Sequence, residues 1–194
     1  IVRDDVSNEK FKFRDSRRMF VGGVPAIINR ISFTGELGYE IYVAPHYQLK
    51  LYEELMEAGK EFNIKPFGGR ALMSMRLEKN WGAWTLDYRP DFTAKETGLD
   101  AFINWDKEFI GKESAQKENS SNKLVPLIVE TNEIDVTNNE AVLNGDQSIG
   151  YVTSGGFAHF VNKSVAFTFV DQKNIKSENK IQVEINGDLF NCSI

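Results

Sequence analysis

The stretch Ile31-Ser-Phe-Thr-Gly-Glu-Leu-Gly-Tyr-Glu-Ile-Tyr-Val43 carries the strongest fold signal of this chain. Its flanks, 26–33 and 39–43, are rich in β-branched and aromatic residues, so both are predicted to be strands. Gly35 and Gly38 lie between them, and glycine permits a tight turn and close approach of the backbone. The pattern predicts two strands joined by a turn that forms one wall of a ligand pocket.

Glu40 is the candidate binding residue of this turn. It lies at the start of the second predicted strand, between Tyr39 and Ile41. Because desolvating an unpaired carboxylate is costly, Glu40 needs hydrogen-bond donors opposite it. Two kinds of partner fit: a basic side chain in a buried structural salt bridge, or a ligand edge that is rich in N–H groups. The residues alone leave both open.

Two helices are predicted after this turn. In 46–58, apolar residues recur three or four positions apart, which is typical of an amphipathic helix. A second helix is predicted over 69–79. Its entrance, 66–69 followed by Arg70, combines free backbone N–H groups with a guanidinium, which is the chemistry of an anion site. An ordinary glycine-lined loop with a surface arginine is the alternative.

The segment that follows brings large aromatic side chains close together, in 81–88. Aromatic faces stack on flat heterocycles, and they also fill domain interfaces. Further along, 99–105 alternates enough to predict a strand, and 110–116 predicts a short helix. In the second predicted helix we expect Arg76 and Glu78 to form a structural ion pair.

A polar run at 117–123 predicts a domain boundary, with an α+β unit over 1–118 and a separate domain over 123–194. The second part contains short strand-like runs split by turn signals, with no convincing helix. Asn144-Gly145 and Asn186-Gly187 are strong β-hairpin signals. We expect a small antiparallel β-barrel there. The predicted fold class is therefore α+β, with an α+β unit followed by a β-barrel.

Composition limits the possible classes. The chain has 194 residues, with 23 Lys and Arg, 28 acids and a net charge of -5. This balance disfavours nucleic-acid binding. No apolar run approaches the roughly 20 residues that span a bilayer, so no membrane partner is expected. The single cysteine, Cys192, excludes an internal disulfide and favours a reducing compartment, either the cytoplasm or, in a eukaryote, the mitochondrial matrix. The first residues lack both an initiating Met and a signal pattern, which predicts a fragment or a processed chain.

No complete catalytic arrangement is visible. The sequence has no His or Cys cluster for a metal, no Gly-x-Gly-x-x-Gly for FAD or NAD, and no nucleophile with an adjacent base. His46 is expected on the surface and His159 is not expected to be catalytic. We therefore predict neither a catalytic site nor a metal site in this chain.

Four words in fixed order carry a family resemblance: SFTGELGYEIYV at 32–43, GRALMSMRLEKNWGAW at 69–84, ETGLDAFINWDKEFIGKESA at 96–115 and IGYVTSGGFAHFVNKSVAF at 149–167. Together they resemble the glycine-cleavage T-protein (aminomethyltransferase) family, and most of all the folate-binding C-terminal part of dimethylglycine and sarcosine dehydrogenases. Members have three units around a tetrahydrofolate pocket. The N-terminal half of that plan is absent here.

The resemblance implies cofactor-binding roles for four residues. Glu40 matches the acid that binds the pterin, and Phe33 matches a ring beside it, where relatives often have tyrosine. Trp84 matches a tyrosine of the folate site. Arg70 opens the same helix as in the dehydrogenase-type relatives, whereas typical T-proteins carry the arginine where this chain has Leu72.

The implied function is tetrahydrofolate binding in an enzyme that transfers a one-carbon unit from a methylated amine or aminomethyl donor. The family's catalytic aspartate lies in the missing half, so this chain alone is expected to be inactive. Its implied partners are the folate cofactor and either that half or an FAD-dependent dehydrogenase portion. A non-catalytic docking or assembly module is the alternative. Paralogues of tRNA modification and iron–sulfur maturation are disfavoured, because their Lys-Gly-Cys word is absent.

Overall fold

A computed structural model describes residues 1–131, 133–175 and 180–194. These residues divide into two units, 1–72 and 73–194. No helix within the described ranges is long and apolar enough to cross a bilayer.

The first unit contains a three-stranded antiparallel sheet with the order β1-β2-β3. The strands are β1 (Ser16–Val21), β2 (Val24–Asn29) and β3 (Glu40–Tyr42). Gly22 and Gly23 join the first two strands with φ values of 56° and 80°. Positive φ at both central residues produces a hairpin turn whose twist matches the strands it connects.

Helix α1 (Gln48–Gly59) packs against one face of this sheet and confirms the helix predicted over 46–58. Side chains alternate along the strands, so every second residue points to the same face. The covered face supplies a hydrophobic core with Leu51 of the helix. Its strand members are Met19, Val21, Val24, Ala26 and Ile28.

The strand predicted over 26–33 is wrong at its end, because β2 stops at Asn29. The next residue leaves the sheet pairing: Arg30 N donates to Asp15 O, and Arg14 N donates to Arg30 O, at 2.9 and 2.8 Å. Beyond it the chain doubles back, so a Cβ on Gly38 would lie 3.0 Å from Ile31 O. The β-branched and aromatic residues of this region therefore form a folded turn instead of a longer strand.

The second unit begins within helix α2 (Gly69–Glu78), which confirms the helix predicted over 69–79. A short helix, α3, occupies Lys112–Lys117. The strand predicted over 99–105 is wrong, since this region contains a 3₁₀ turn, Asp100–Phe102. Leu99 N and Asp100 N both donate to Ala94 O, at 2.7 and 3.1 Å, so local turns satisfy the backbone instead of a neighbouring strand.

Six antiparallel strands then close into a barrel with the order β4-β7-β6-β5-β8-β9. The strands are β4 (Asn122–Val129), β5 (Ala141–Asn144), β6 (Gln147–Ala158), β7 (Lys163–Asp171), β8 (Ile181–Ile185) and β9 (Asp188–Ser193). Pairing of β9 with β4 closes the barrel, with Cys192 opposite Val129.

The predicted α+β fold class with an antiparallel barrel is confirmed. Asn-Gly turns connect β5 to β6 and β8 to β9, with φ values of 59° at Gly145 and 92° at Gly187. Valine side chains fill the interior together with a few other apolar residues, including Val142, Val152 and Val183. The domain division into 1–118 and 123–194 stays a prediction.

Candidate functional site

Glu40 is the first residue of β3, and its side chain is exposed. Tyr42 Oη donates a hydrogen bond to Glu40 Oε2 over 2.6 Å. Within the described ranges Glu40 forms no ion pair and is not buried, so the structural salt bridge considered from the sequence is not seen there. The carboxylate is therefore partnered by a tyrosine hydroxyl and open to solvent.

Tyr42 shares the uncovered face of the sheet with Glu40, because residues two apart on a strand point the same way. The strand register continues this face across β2 and β1, since Tyr42 pairs with Ile27, which pairs with Arg18. We call this surface the open sheet face. Its members are Ser16, Arg18, Phe20, Pro25, Ile27, Asn29, Glu40 and Tyr42.

The open sheet face exposes several large apolar side chains. Phe20 is 63% exposed, Tyr42 54% and Ile27 39%. A cavity of about 610 Å³ lies over it, with Arg18 and Pro25 also in its lining. This cavity combines aromatic and aliphatic walls with one cation, Arg18, and one acid, Asp4, and its Tyr42 side chain donates a hydrogen bond to the Glu40 carboxylate.

The turn 31–39 borders a second, smaller cavity of about 300 Å³. Its lining comes from the turn and from the N-terminal segment, with Arg30 between them. Arg30 is held by bonds to Phe11 O and to Asn8 Oδ1. Phe33 lies half-buried within the turn. The turn thus lines a cavity, and its role as the wall of a ligand pocket stays a prediction.

Arg70 lies in the first turn of α2 and is exposed, as are all residues of 61–69. In the described residues, neither Arg70 nor Phe33 forms a hydrogen bond or ion pair with the Glu40 carboxylate. The structure places Phe33, Glu40 and Arg70 in the unit 1–72, whereas Trp84 belongs to the unit 73–194.

Trp84 projects from the loop between α2 and the following segment, with 76% of its surface exposed. Its indole meets Tyr88 edge-on, with ring centroids 5.7 Å apart. Tyr88 in turn packs on Gly82, whose N–H donates to the Tyr88 hydroxyl at 3.0 Å. A Cβ on Gly82 would lie 2.6 Å from the tyrosine ring, so only glycine fits under it.

Asp87 anchors this loop to the barrel, and its role was not predicted from the sequence. Arg76 Nη1 and Ala83 N each donate to Asp87 Oδ2 over 2.8 Å. Thr153 Oγ1 and Ser154 Oγ of β6 donate to Oδ1. The side chains of Arg76 and Asp87 are almost completely buried, at 1% and 0% exposure. Burial lowers the pKa of Arg76, and the adjacent Asp87 carboxylate opposes that shift.

The ion pair predicted between Arg76 and Glu78 is wrong. Glu78 instead accepts a hydrogen bond from Phe160 N through Oε1, over 2.6 Å. Residues two apart on a helix do not face each other, which explains why the two side chains diverge. One signal for the true pair was available: Arg76 lies four residues after Leu72, on an apolar stripe where a charge requires a buried partner.

The described residues contain no group of three or more His, Cys, Asp or Glu side chains that could hold a metal ion. The candidate site offers an open carboxylate, exposed aromatic rings and exposed arginines.

An α+β unit followed by a closed six-stranded barrel also occurs in a solved aminomethyltransferase. The crystal structure of glycine cleavage system aminomethyltransferase T from Bartonella henselae matches this fold with a TM-score of 0.81. The match covers 94% of this chain and 51% of that chain, at 24% sequence identity.

Sequence comparison identifies the family. Residues 1–107 match the GCVT N-terminal domain, and residues 122–194 match the glycine cleavage T-protein C-terminal barrel domain. The chain therefore belongs to the glycine cleavage T-protein family.

Two relatives show what share of a longer protein this chain covers. Mitochondrial dimethylglycine dehydrogenase from Mus musculus is 33% identical over 199 residues, which cover 100% of this chain and 23% of the relative. An aminomethyltransferase from Bacillus mycoides (strain KBAB4) is 34% identical over 192 residues, covering 96% of this chain and 52% of the relative. The chain thus spans about half the length of the aminomethyltransferase and less than a quarter of the dehydrogenase.

Proposed function

We propose that this chain is the folate-binding part of an aminomethyltransferase-type enzyme, which transfers a one-carbon unit from a methylated amine or aminomethyl donor to tetrahydrofolate. The observation that carries the proposal is the state of Glu40. Its carboxylate is exposed on the open sheet face and is bonded to a tyrosine that lines a cavity. An acid kept in this state is available to a ligand with N–H donors.

The residues present fit tetrahydrofolate. A pterin offers adjacent ring N–H and exocyclic NH₂ donors, and one carboxylate accepts both in a paired fork, as it does from arginine. Phe33 and Trp84 provide ring faces for flat heterocycles, and Arg70 provides an exposed cation for the carboxylates of the cofactor. When bound, tetrahydrofolate supplies the acceptor for the one-carbon unit.

The chain's own contribution is to bind and orient. Holding an acceptor in a reactive position converts an encounter between two molecules into an intramolecular event, which is a large part of many enzymatic rate enhancements. We propose that the acid–base group comes from the half that this chain does not span. The mouse relative is mitochondrial. For this chain we propose the cytoplasm, or the mitochondrial matrix if its source is eukaryotic.

Isothermal titration with tetrahydrofolate tests the proposal, first on this chain and then on the same chain with the missing half restored. Glu40→Gln should weaken binding by about 1.5–3 kcal/mol, the usual scale for a hydrogen bond to a charged group, with little change in the melting temperature. The matched control is Glu53→Gln, which removes the same charge from the exposed surface of α1. Equal binding by wild type and Glu40→Gln would contradict the assignment of Glu40.

A second candidate function is a non-catalytic docking or assembly module. It is favoured by the exposed apolar side chains of the open sheet face, above all Phe20. Surfaces of this kind commonly mark contacts with other protein segments. Under this alternative, neither this chain nor the restored protein binds tetrahydrofolate, and Phe20→Ser weakens association with the other half.

A further inference from the structure

Tyr42 is the residue of the open sheet face that contacts the Glu40 carboxylate, and the family resemblance assigns no role to it. Its hydroxyl lies 2.6 Å from Oε2, which is a short distance typical of an O–H donor and an ionised acceptor. The neighbouring carboxylate also raises the pKa of the Tyr42 phenol, first through this hydrogen bond and then through its charge.

The geometry of β3 explains how the two side chains meet. Residues two apart on a strand stand on the same face, about 6.5 Å apart. Glu40 pairs across the sheet with Asn29, and Tyr42 pairs with Ile27. The tyrosine ring therefore lies beside an aliphatic side chain, while its hydroxyl reaches back along the strand to the acid.

A glutamate side chain on a surface is free to rotate, and a ligand must stop this motion when it binds. The Tyr42 bond removes part of that freedom in advance. Each carboxylate oxygen has two acceptor positions, so Oε2 accepts from Tyr42 and still keeps one position for a ligand, and both oxygens remain available for a paired fork. Both side chains are exposed, so the bond adds little to folding stability.

We propose that Tyr42 is a positioning residue, which holds the Glu40 carboxylate in one orientation for a flat heterocycle with adjacent N–H donors. This inference rests on the proposed function and deepens it. The same tyrosine ring borders the cavity over the sheet, so it also shapes the space beside the acid.

The test is a double-mutant cycle on the protein with its missing half restored, with tetrahydrofolate as the probe. Tyr42→Phe should weaken binding about fivefold, the effect of losing one ordinary hydrogen bond. In the Glu40→Gln background the same change should have almost no effect, because the acid it positions is gone. In turnover, Tyr42→Phe should raise the KM for tetrahydrofolate and leave kcat unchanged, because the contact stabilises the ground state and the transition state equally.

Tyr39→Phe is the matched control. It removes one hydroxyl from the adjoining segment, where the tyrosine bonds Val6 O and stacks on Phe11 instead of touching Glu40. The Tyr39→Phe variant should bind tetrahydrofolate with the affinity of wild type.

The possible failures are distinct. If Glu40→Gln loses affinity but Tyr42→Phe does not, the positioning role is overturned and the proposed function stands. The positioning role is also overturned if the Tyr42→Phe effect is equally large in both backgrounds. If the wild-type protein does not bind tetrahydrofolate, both proposals are overturned.

Discussion

Asp87 is the residue on which the loop carrying Trp84 depends. It gathers donors from α2, from the loop backbone and from β6, and all of them converge on one carboxylate with no exposed surface. Buried ion pairs gain little over apolar packing, but losing one partner leaves an uncompensated charge inside the protein. This asymmetry makes Asp87 far more sensitive to substitution than the surface acids.

We predict that Asp87→Asn destabilises the protein by about 3–5 kcal/mol, because Arg76 then remains buried without a counter-charge. Urea unfolding followed by circular dichroism measures the change. The control is Glu108→Gln, which removes the charge of an exposed acid that pairs with the partly buried Lys112 at 2.8 Å. That variant should stay within about 0.5 kcal/mol of wild type. A small effect at Asp87 would show that the loop is not anchored by this pair.

The phenol of Tyr42 provides a pH-dependent prediction. Its pKa is raised because ionisation would break the hydrogen bond to Glu40 and place a second negative charge beside the carboxylate. Glu40→Gln removes that charge, so the pKa of Tyr42 should fall toward its ordinary value of about 10. The measurement is an alkaline titration followed by tyrosinate absorbance. It is made on wild type and on Glu40→Gln, and each curve has that of the same protein carrying Tyr42→Phe subtracted, so that only the Tyr42 phenol remains.

Glu53→Gln serves as the control for that titration and should leave the Tyr42 curve in place. An unchanged curve in Glu40→Gln would mean that the two side chains do not interact in solution.

Among the elements, strand β6 shows how closely the barrel backbone is packed. A Cβ on Gly150 would lie 2.5 Å from Phe169 O, a distance that real Cβ atoms do not tolerate. Gly156, on the same strand, has Leu77 Cδ1 at 3.5 Å as its nearest neighbour, which is ordinary contact. A methyl group therefore has no room at Gly150 but has room at Gly156, although both glycines lie on one strand.

We predict that Gly150→Ala lowers the stability by about 1–3 kcal/mol, the range for forcing an extra group into a packed interior. Gly156→Ala should be close to neutral, since its new methyl group meets only the end of a flexible side chain. Thermal unfolding of both variants makes the comparison. Equal melting temperatures would show that β6 and β7 separate enough at Gly150 to accept a methyl group.

At the scale of the whole molecule, the chain spans about half of the aminomethyltransferase it matches. The described residues contain the open carboxylate of Glu40 and exposed aromatic rings, and their buried Arg76 and Asp87 charges are paired with each other. In the proposed function the exposed groups bind and orient the cofactor, and the acid–base group comes from the half that this chain does not span.

We predict that the isolated chain forms no methylene-tetrahydrofolate from dimethylglycine or sarcosine, because our proposal assigns the donor-side acid–base group to the half that this chain does not span. Restoring the missing half should produce turnover. A coupled assay with each donor, at matched protein concentrations, distinguishes the two preparations. Turnover by the isolated chain would refute the division of roles, and turnover that rises with the square of its concentration would indicate that two copies complete one site.

Local patterns in the sequence were sufficient for much of the architecture. The helices α1 and α2 follow from apolar residues at helical spacing, and the Asn-Gly turns follow from the positive φ that a tight hairpin requires. These features depend on residues close together in the chain, so the sequence determines them without knowledge of distant contacts. Glu40 was also predicted in this way, as an acid at the start of a strand, and its binding role stays a prediction.

Other features depend on residues far apart in sequence. The bonds from Thr153 and Ser154 to Asp87 join positions more than sixty residues apart, and only folding of the barrel brings them together. The strand predicted over 99–105 failed for the same reason, since an apolar alternation forms a strand only when a neighbour is available to pair. The exposure of Tyr42 beside Glu40 depends on which face of β3 is covered, and that is a matter of packing. The sequence thus determined the helices, the hairpins and the candidate acid, while the tertiary structure decided which charges are buried and which face stays open, because both depend on long-range packing.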